Sequence, residues 1–106
     1  MAGHLIVAVN PTAAAGRNAE VGDRVVERAR AAGHDVVRLE ANDAATLERH
    51  LRARLERRRA DAVVVVGGDG MVHLAVNALA RTGVALGVVP TGTGNDFSRH
   101  LGLPQD

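Results

Sequence analysis

Four consecutive valines, Val63 to Val66, run into Gly67-Gly68-Asp69-Gly70 and then straight into an apolar helical pattern from Met71. An unbroken β-branched run is what a strand buried on both faces looks like. A chain with such a strand has to cover it from two sides, which points to an α/β layered fold. Strand, glycine turn and helix together build an anion site, because the turn lets backbone approach a ligand and the first helical N–H groups point at it. A carboxylate in that turn suits a phosphate that arrives with Mg²⁺, which keeps oxygen ligands and waters around itself. Asp69 is therefore the centre of a candidate nucleotide–Mg²⁺ site.

The rest of the chain supplies matching units. His4 to Val9 is a short apolar strand that Asn10-Pro11 ends. From Ala19 the pattern turns helical, with Val21, Val25, Ala29 and Ala32 on one face and Gly33 as a left-handed stop. A strand over His34 to Leu39 follows. Asn42 or Asp43 then caps a helix with Leu47, Leu51 and Leu55 as its buried stripe. Ala62 to Val66 is the third strand. The helix from Met71 to Ala80 is apolar nearly all round apart from His73 and Asn77, and should be well buried. Val84 to Val89 is the fourth strand. A second glycine turn, Pro90-Thr91-Gly92-Thr93-Gly94-Asn95-Asp96, leads into a short helix from Phe97 to Leu101. Alternating strands and helices with short joints predict a three-layer α/β fold, an open and mostly parallel sheet with helices on both faces.

In such sheets ligands bind beyond the carboxyl ends of the strands. Three unusual loops fall there: Asn10 to Arg17, Gly67 to Gly70, and Thr91 to Asp96. Asp69 could serve only as a helix cap, and Asn95 likewise. Three glycines around one acid exceed what a cap needs, however, and the second turn repeats the design. Its hydroxyls and N–H groups suit phosphate oxygens, and Asp96 could face Asp69 and share a hydrated Mg²⁺. Arg17 has the fork geometry for phosphate, though exposed arginines are more often only solvated.

Composition narrows the chemistry. All basic residues are arginine, so a P-loop, a protein-kinase strand lysine and Schiff-base catalysis are excluded. The absence of cysteine removes thiol nucleophiles, disulfides and thiolate zinc sites, and fits a cytoplasmic setting. A formal net charge of +1 gives no pull towards nucleic acid. The arginines crowding the second helix (Arg49, Arg52, Arg54, Arg57, Arg58 and Arg59) are interrupted by Glu48 and Glu56, which argues against a membrane-binding face. The five histidines are scattered without metal-ligand spacing.

Gly67-Gly68-Asp69-Gly70, followed about twenty residues on by Pro90-Thr91-Gly92-Thr93-Gly94-Asn95-Asp96-Phe97, resembles the catalytic domain of the diacylglycerol kinase family. That family takes in bacterial diacylglycerol kinases and the sphingosine and ceramide kinases. Asn10-Pro11, ending in Gly16-Arg17, looks like its looser first motif. The first of these turns is shared with NAD kinases and phosphofructokinases, and the second singles out lipid kinases. The resemblance spans residues 1–106 but only the N-terminal nucleotide-binding domain of the family's proteins. The β-rich second domain, with the general base and much of the lipid contact, is absent from these residues.

The resemblance implies ATP and Mg²⁺ as cofactors and a lipid substrate, most often diacylglycerol, met by a cytoplasmic protein at the inner membrane face. It implies Asp69 and Asp96 as the catalytic acids that hold Mg²⁺ through water. Gly67, Gly68, Gly70, Thr91, Gly92, Thr93, Gly94 and Asn95 would surround the nucleotide phosphates, with Asn10 and Arg17 nearby. The sequence departs from the family at Met71, where threonine is usual, at His73-Leu74 in place of Asn-Glu, and at Ala13-Ala14-Ala15 in the first loop. Two other readings stand beside this one: a soluble-metabolite kinase of the NAD kinase type, and a non-catalytic nucleotide-binding or dimerising module. A cut-away second domain would leave apolar surface on which two copies could pair.

Overall fold

The computed structural model describes residues 3–11 and 17–91. Strands and helices alternate as β1 (His4–Val9), α1 (Arg17–Ala31), β2 (Asp35–Glu40), α2 (Ala44–Arg57), β3 (Ala62–Val66), α3 (Asp69–Leu79) and β4 (Ala85–Val89). The strands form one sheet in the order β2-β1-β3-β4, and every neighbouring pair is parallel. The short helix expected over Phe97 to Leu101 lies outside the described residues.

Side-chain alternation sorts the strands onto two cores. Ile6, Ala8, Val63, Val65 and Val88 point to one face, where Leu47 and Leu51 of α2 and Met71, Leu74, Ala75 and Ala78 of α3 cover them. Val7, Val9, Val36 and Val66 point to the other, under Val26 of α1. Crossovers of one hand produce this division. The chain moves one way across the sheet from β1 to β2, and the opposite way from β2 to β3 and on to β4, so α1 lies on the face opposite α2 and α3. Ile6, Val7, Val9, Val63, Val65 and Val66 are fully buried. Each such side chain contributes about 1.5–3 kcal/mol relative to exposure.

Three details differ from the sequence reading. First, α1 begins at Arg17, and its most buried residues are Asn18, Gly22 and Val26. Val21, Val25 and Ala29 flank that line half-buried, and Ala32 is exposed beyond the helix end. Gly22 sets this face: a Cβ there would lie 2.8 Å from Val9 Cγ2, so α1 crosses β1 at its smallest residue. Arg38 of β2 holds the same turn of α1, pairing with Asp23 and donating to the Ala19 carbonyl at 3.3 Å. Second, β2 spans Asp35 to Glu40, because Gly33 at φ 92° and the bond from His34 N–H to Ala29 O at 3.1 Å still belong to the helix stop. Third, α3 starts at Asp69 and leaves Val76 53% exposed, so it is amphipathic rather than buried all round.

The cap of α2 is as expected. Asp43 accepts from Thr46 N–H at 2.8 Å and from its hydroxyl at 2.9 Å. The bond from the Thr46 N–H, with the hydroxyl bond second, holds the Asp43 carboxyl below its usual value.

Candidate functional site

β1 and β3 are neighbours, yet the helices that follow them leave to opposite faces. This is the topological switch point of the sheet, where an open crevice forms beyond the carboxyl ends of the strands. The strands finish level with one another. Val9 pairs with Val66, and Val66 with Val89. Asn10, Gly67 and Pro90 therefore step off the sheet side by side, so the three loops singled out in the sequence begin at one rim.

The Gly67 turn is held by its backbone. Gly67 adopts φ 148°, a conformation that favours glycine, and donates its N–H to Val89 O at 3.0 Å. A Cβ on Gly67 would come within 2.7 Å of Met71 Cγ, so the turn and the first turn of α3 are in tight contact. Gly68 is the N-cap of α3 and has no side chain to bond the free amides. Its carbonyl accepts from Met71 N–H at 3.1 Å and Val72 N–H at 3.2 Å. The amides of Asp69 and Gly70, at the first two positions of the helix, are of the kind that helix geometry leaves without an intrahelical acceptor.

Space is left in front of them. Gly68, Asp69 and Gly70 are all exposed, and a Cβ on Gly68 or Gly70 would meet no atom within 4 Å. Asp69 opens α3 with its carboxylate in solvent, where the positive end of the helix dipole favours an anion. It is not the helix cap, which is Gly68. Among the described residues no three His, Cys, Asp or Glu side chains gather as a metal cage. One free carboxylate beside open helical amides fits Mg²⁺ nonetheless, since that ion keeps most of its waters and is often held by one or two carboxylates plus substrate phosphates.

The other predicted residues divide. Asn10 is half-buried; its Nδ2 donates to Asn42 O at 3.3 Å, so its side chain ties the end of β1 to the loop before α2. Arg17 is exposed as the first residue of α1 on the same rim. Thr91 is half-buried just beyond β4. Gly92, Thr93, Gly94, Asn95 and Asp96 lie outside the described residues. Met71 and Leu74, two of the departures from the family pattern, are buried in the core under α3.

One residue of this region escaped the sequence reading. Asn18 is 1% exposed at the second position of α1. Its Nδ2 donates to Asn10 O at 3.3 Å and lies 3.6 Å from where a Gly67 Cβ would be. A polar residue four and eight places before Gly22 and Val26, on the buried line of the helix, was the available signal.

An open groove of about 550 Å³ runs between α1 and the end of β4, lined by Val21, Arg24, Val25, Arg28, Val89 and Pro90. It shares β4 with the rim, but among the described residues its lining includes neither the glycine turn nor a carboxylate. It marks where α1 leaves the outer strand uncovered.

Comparison with known proteins places this geometry. The family model for the diacylglycerol kinase catalytic domain matches residues 4–106. The chain belongs to that family. A diacylglycerol kinase of Mycobacterium tuberculosis is 39% identical over 102 residues, covering 96% of this chain and 33% of the relative. A diacylglycerol kinase of Bacillus subtilis is 45% identical over 51 residues, 46% of this chain and 17% of the relative. The solved structure of a candidate diacylglycerol kinase from Bacillus anthracis str. Sterne superposes with a TM-score of 0.73 at 31% identity, over 96% of this chain and 35% of that one. The diacylglycerol kinase fold expected from the sequence is thus the fold observed. The chain spans about a third of the length of the M. tuberculosis relative.

Proposed function

We propose that this chain is the nucleotide-binding part of an ATP- and Mg²⁺-dependent lipid kinase. The reaction is transfer of the γ-phosphoryl group to a lipid hydroxyl, that of diacylglycerol, giving phosphatidic acid. The observation that carries the reading is the open Gly67–Gly70 turn, with an exposed Asp69 and free helical amides at the switch point of the sheet. In this reading Asp69 and Asp96 hold the hydrated Mg²⁺. The amides around Gly68 and Gly70 and the Thr91–Asn95 turn take the phosphates, and Asn10 and Arg17 border the nucleotide. When bound, the metal neutralises phosphate charge. The protein's own part is positioning and a fixed set of dipoles, since phosphoryl transfer needs little covalent help.

The general base and the lipid contacts are assigned to a second, β-rich domain of the family type, outside these 106 residues. Lipid presented in a bilayer makes this a peripheral protein of the cytoplasmic membrane face. Among the described residues no helix is long and apolar enough to cross a membrane.

Calorimetric titration of Mg·ATP into the chain and its Asp69→Ala variant tests the reading. Asp69 is exposed and caps nothing, so the substitution should change stability by less than about 0.5 kcal/mol. It should weaken Mg·ATP binding by about tenfold or more, the scale of a lost charge-assisted contact. Equal affinity in the two proteins removes Asp69 from the site. A phosphorylation assay on the full-length protein, with diacylglycerol vesicles against NAD, separates lipid from soluble-metabolite kinase chemistry.

A further inference from the structure

Asn18 carries an unmet hydrogen-bonding demand beside the Gly67 turn. Its carboxamide sits between the end of β1 and the Gly67 turn and is 1% exposed. The Asn10 carbonyl settles which way the amide faces. A carbonyl can only accept, so the NH₂ group must point at it, as the 3.3 Å bond shows. Oδ1 is then fixed on the other branch, and it is buried without a hydrogen-bond partner among the described residues. Buried acceptors are nearly always satisfied. The other unpaired buried atoms among the described residues, both His4 ring nitrogens and Arg54 Nε, lie away from this rim, and Asn18 is the one that stands beside the glycine turn, where a ligand could supply the partner.

Turning the amide over would set Oδ1 against the Asn10 oxygen, so the orphan cannot be relieved by a flip. Leucine of similar size would fill the same space, losing only the bond to the Asn10 carbonyl and removing the buried unpaired oxygen. Gly22 and Val26, the other buried residues of this helix line, are both apolar.

We propose that Asn18 Oδ1 is a ligand-accepting atom of the nucleotide site. Its chemistry selects the donor. An amide oxygen repels a phosphate oxygen and accepts from an O–H or N–H group. The incoming nucleotide–Mg²⁺ complex offers such donors on the nucleoside, a ribose hydroxyl or the adenine amine, and in a water on the cation. Through its other branch the same side chain holds the Asn10 carbonyl beside the Gly67 turn, so it links the two loops while it binds. This inference rests on the nucleotide-site reading above.

The test is Asn18→Leu, with two readouts that a structural asparagine would move together. The ligand-free variant loses the unpaired acceptor and, with it, the bond to the Asn10 carbonyl, so its melting temperature should stay close to that of the wild-type chain. Its affinity for Mg·ATP should fall by about tenfold, the scale of one hydrogen bond whose protein partner is lost. Mg·tripolyphosphate, which has neither ribose nor base, separates the sources. If its affinity is unchanged in the variant, the donor is on the nucleoside; if it falls alongside that of Mg·ATP, the cation-bound water is the donor.

Lower stability with unchanged Mg·ATP affinity overturns the proposal, because Oδ1 is then served by the chain itself. If the leucine variant does not fold, the side-chain amide resonances of the wild-type chain decide. The Asn18 pair should shift on addition of Mg·ATP, and its failure to do so also overturns the proposal. A wild-type chain that binds no Mg·ATP overturns this inference and the nucleotide-site reading together. A wild-type chain that binds, with a leucine variant that binds equally well, overturns this inference alone.

Discussion

The two ends of the sheet are finished in opposite ways. At the amino ends of the strands, side chains close over the backbone. Asp61 accepts from His4 N–H at 2.7 Å, His34 Nδ1 accepts from Gly3 N–H at 3.0 Å, and Arg58 pairs with Asp35 at 2.7 Å. Arg59 donates to the Thr82 carbonyl at 2.6 Å, tying α2's exit to the loop before β4. The Arg58 bond is the main reason that the Asp35 carboxyl is held below its usual value. At the carboxyl ends, among the described residues, glycines replace side chains around Asp69, which is exposed at the start of α3. The first end pairs these backbone groups internally and so contributes to stability, although both ring nitrogens of His4 are buried there without a hydrogen bond. The second is left open, where the proposed site lies. A fold that sealed both ends would have no site, and one that left both open would give up hydrogen bonds that hold its strand ends together.

Breaking this contrast should give effects of graded size. Gly67→Val adds a side chain where the carboxyl end tolerates none: φ is 148° and the new Cβ would strike Met71. A loss of about 3 kcal/mol is expected, the upper range for backbone strain joined to a clash, and chemical denaturation will read it. An Asp61→Ala change opens the amino end by stripping the partner from His4 N–H. That should cost about 1–2 kcal/mol and leave Mg·ATP affinity unchanged, because the proposed site lies at the other end of the strands. Thermal melts with and without Mg·ATP will show whether the two ends are independent. The smallest effect on stability is predicted for Gly70→Ala. No protein atom meets the added methyl, and alanine favours the helix by about 1 kcal/mol at most. Stability should rise slightly while Mg·ATP affinity falls, since only a ligand can occupy that space. A stabilised variant that binds as before would show that the opening is not part of the site.

Much of this was legible in the sequence because it is local. The valine runs marked β1 and β3, Gly33 marked the end of α1, and Asp43 marked the start of α2. The glycine turns located the rim, since glycine at a strand end before a helix has few other uses. The start of α3 was misplaced at Met71 because glycines read as turn, whereas Asp69 and Gly70 are already helical under the Gly68 cap. The packed face of α1 was legible in part. Val21, Val25 and Ala29 do pack on the second core, but the helix is centred on Gly22, where the backbone can come closest to Val9, and Ala32 is left exposed. Periodicity counts hydrophobic residues and does not know how near two elements will lie.

The sequence by itself determined that the chain is a layered α/β unit with two glycine-rich turns, one acid in the first, and lipid-kinase motifs. Those follow from residue chemistry within a few positions of one another. Only the tertiary structure decided that the strands run in the order β2-β1-β3-β4, which brings the end of β1 beside the Gly67 turn at the switch point. It also decided that Asn18, a polar residue with no motif around it, stands between them with one atom unpaired. Strand order and helix approach depend on contacts between residues tens of positions apart, and no local pattern encodes them.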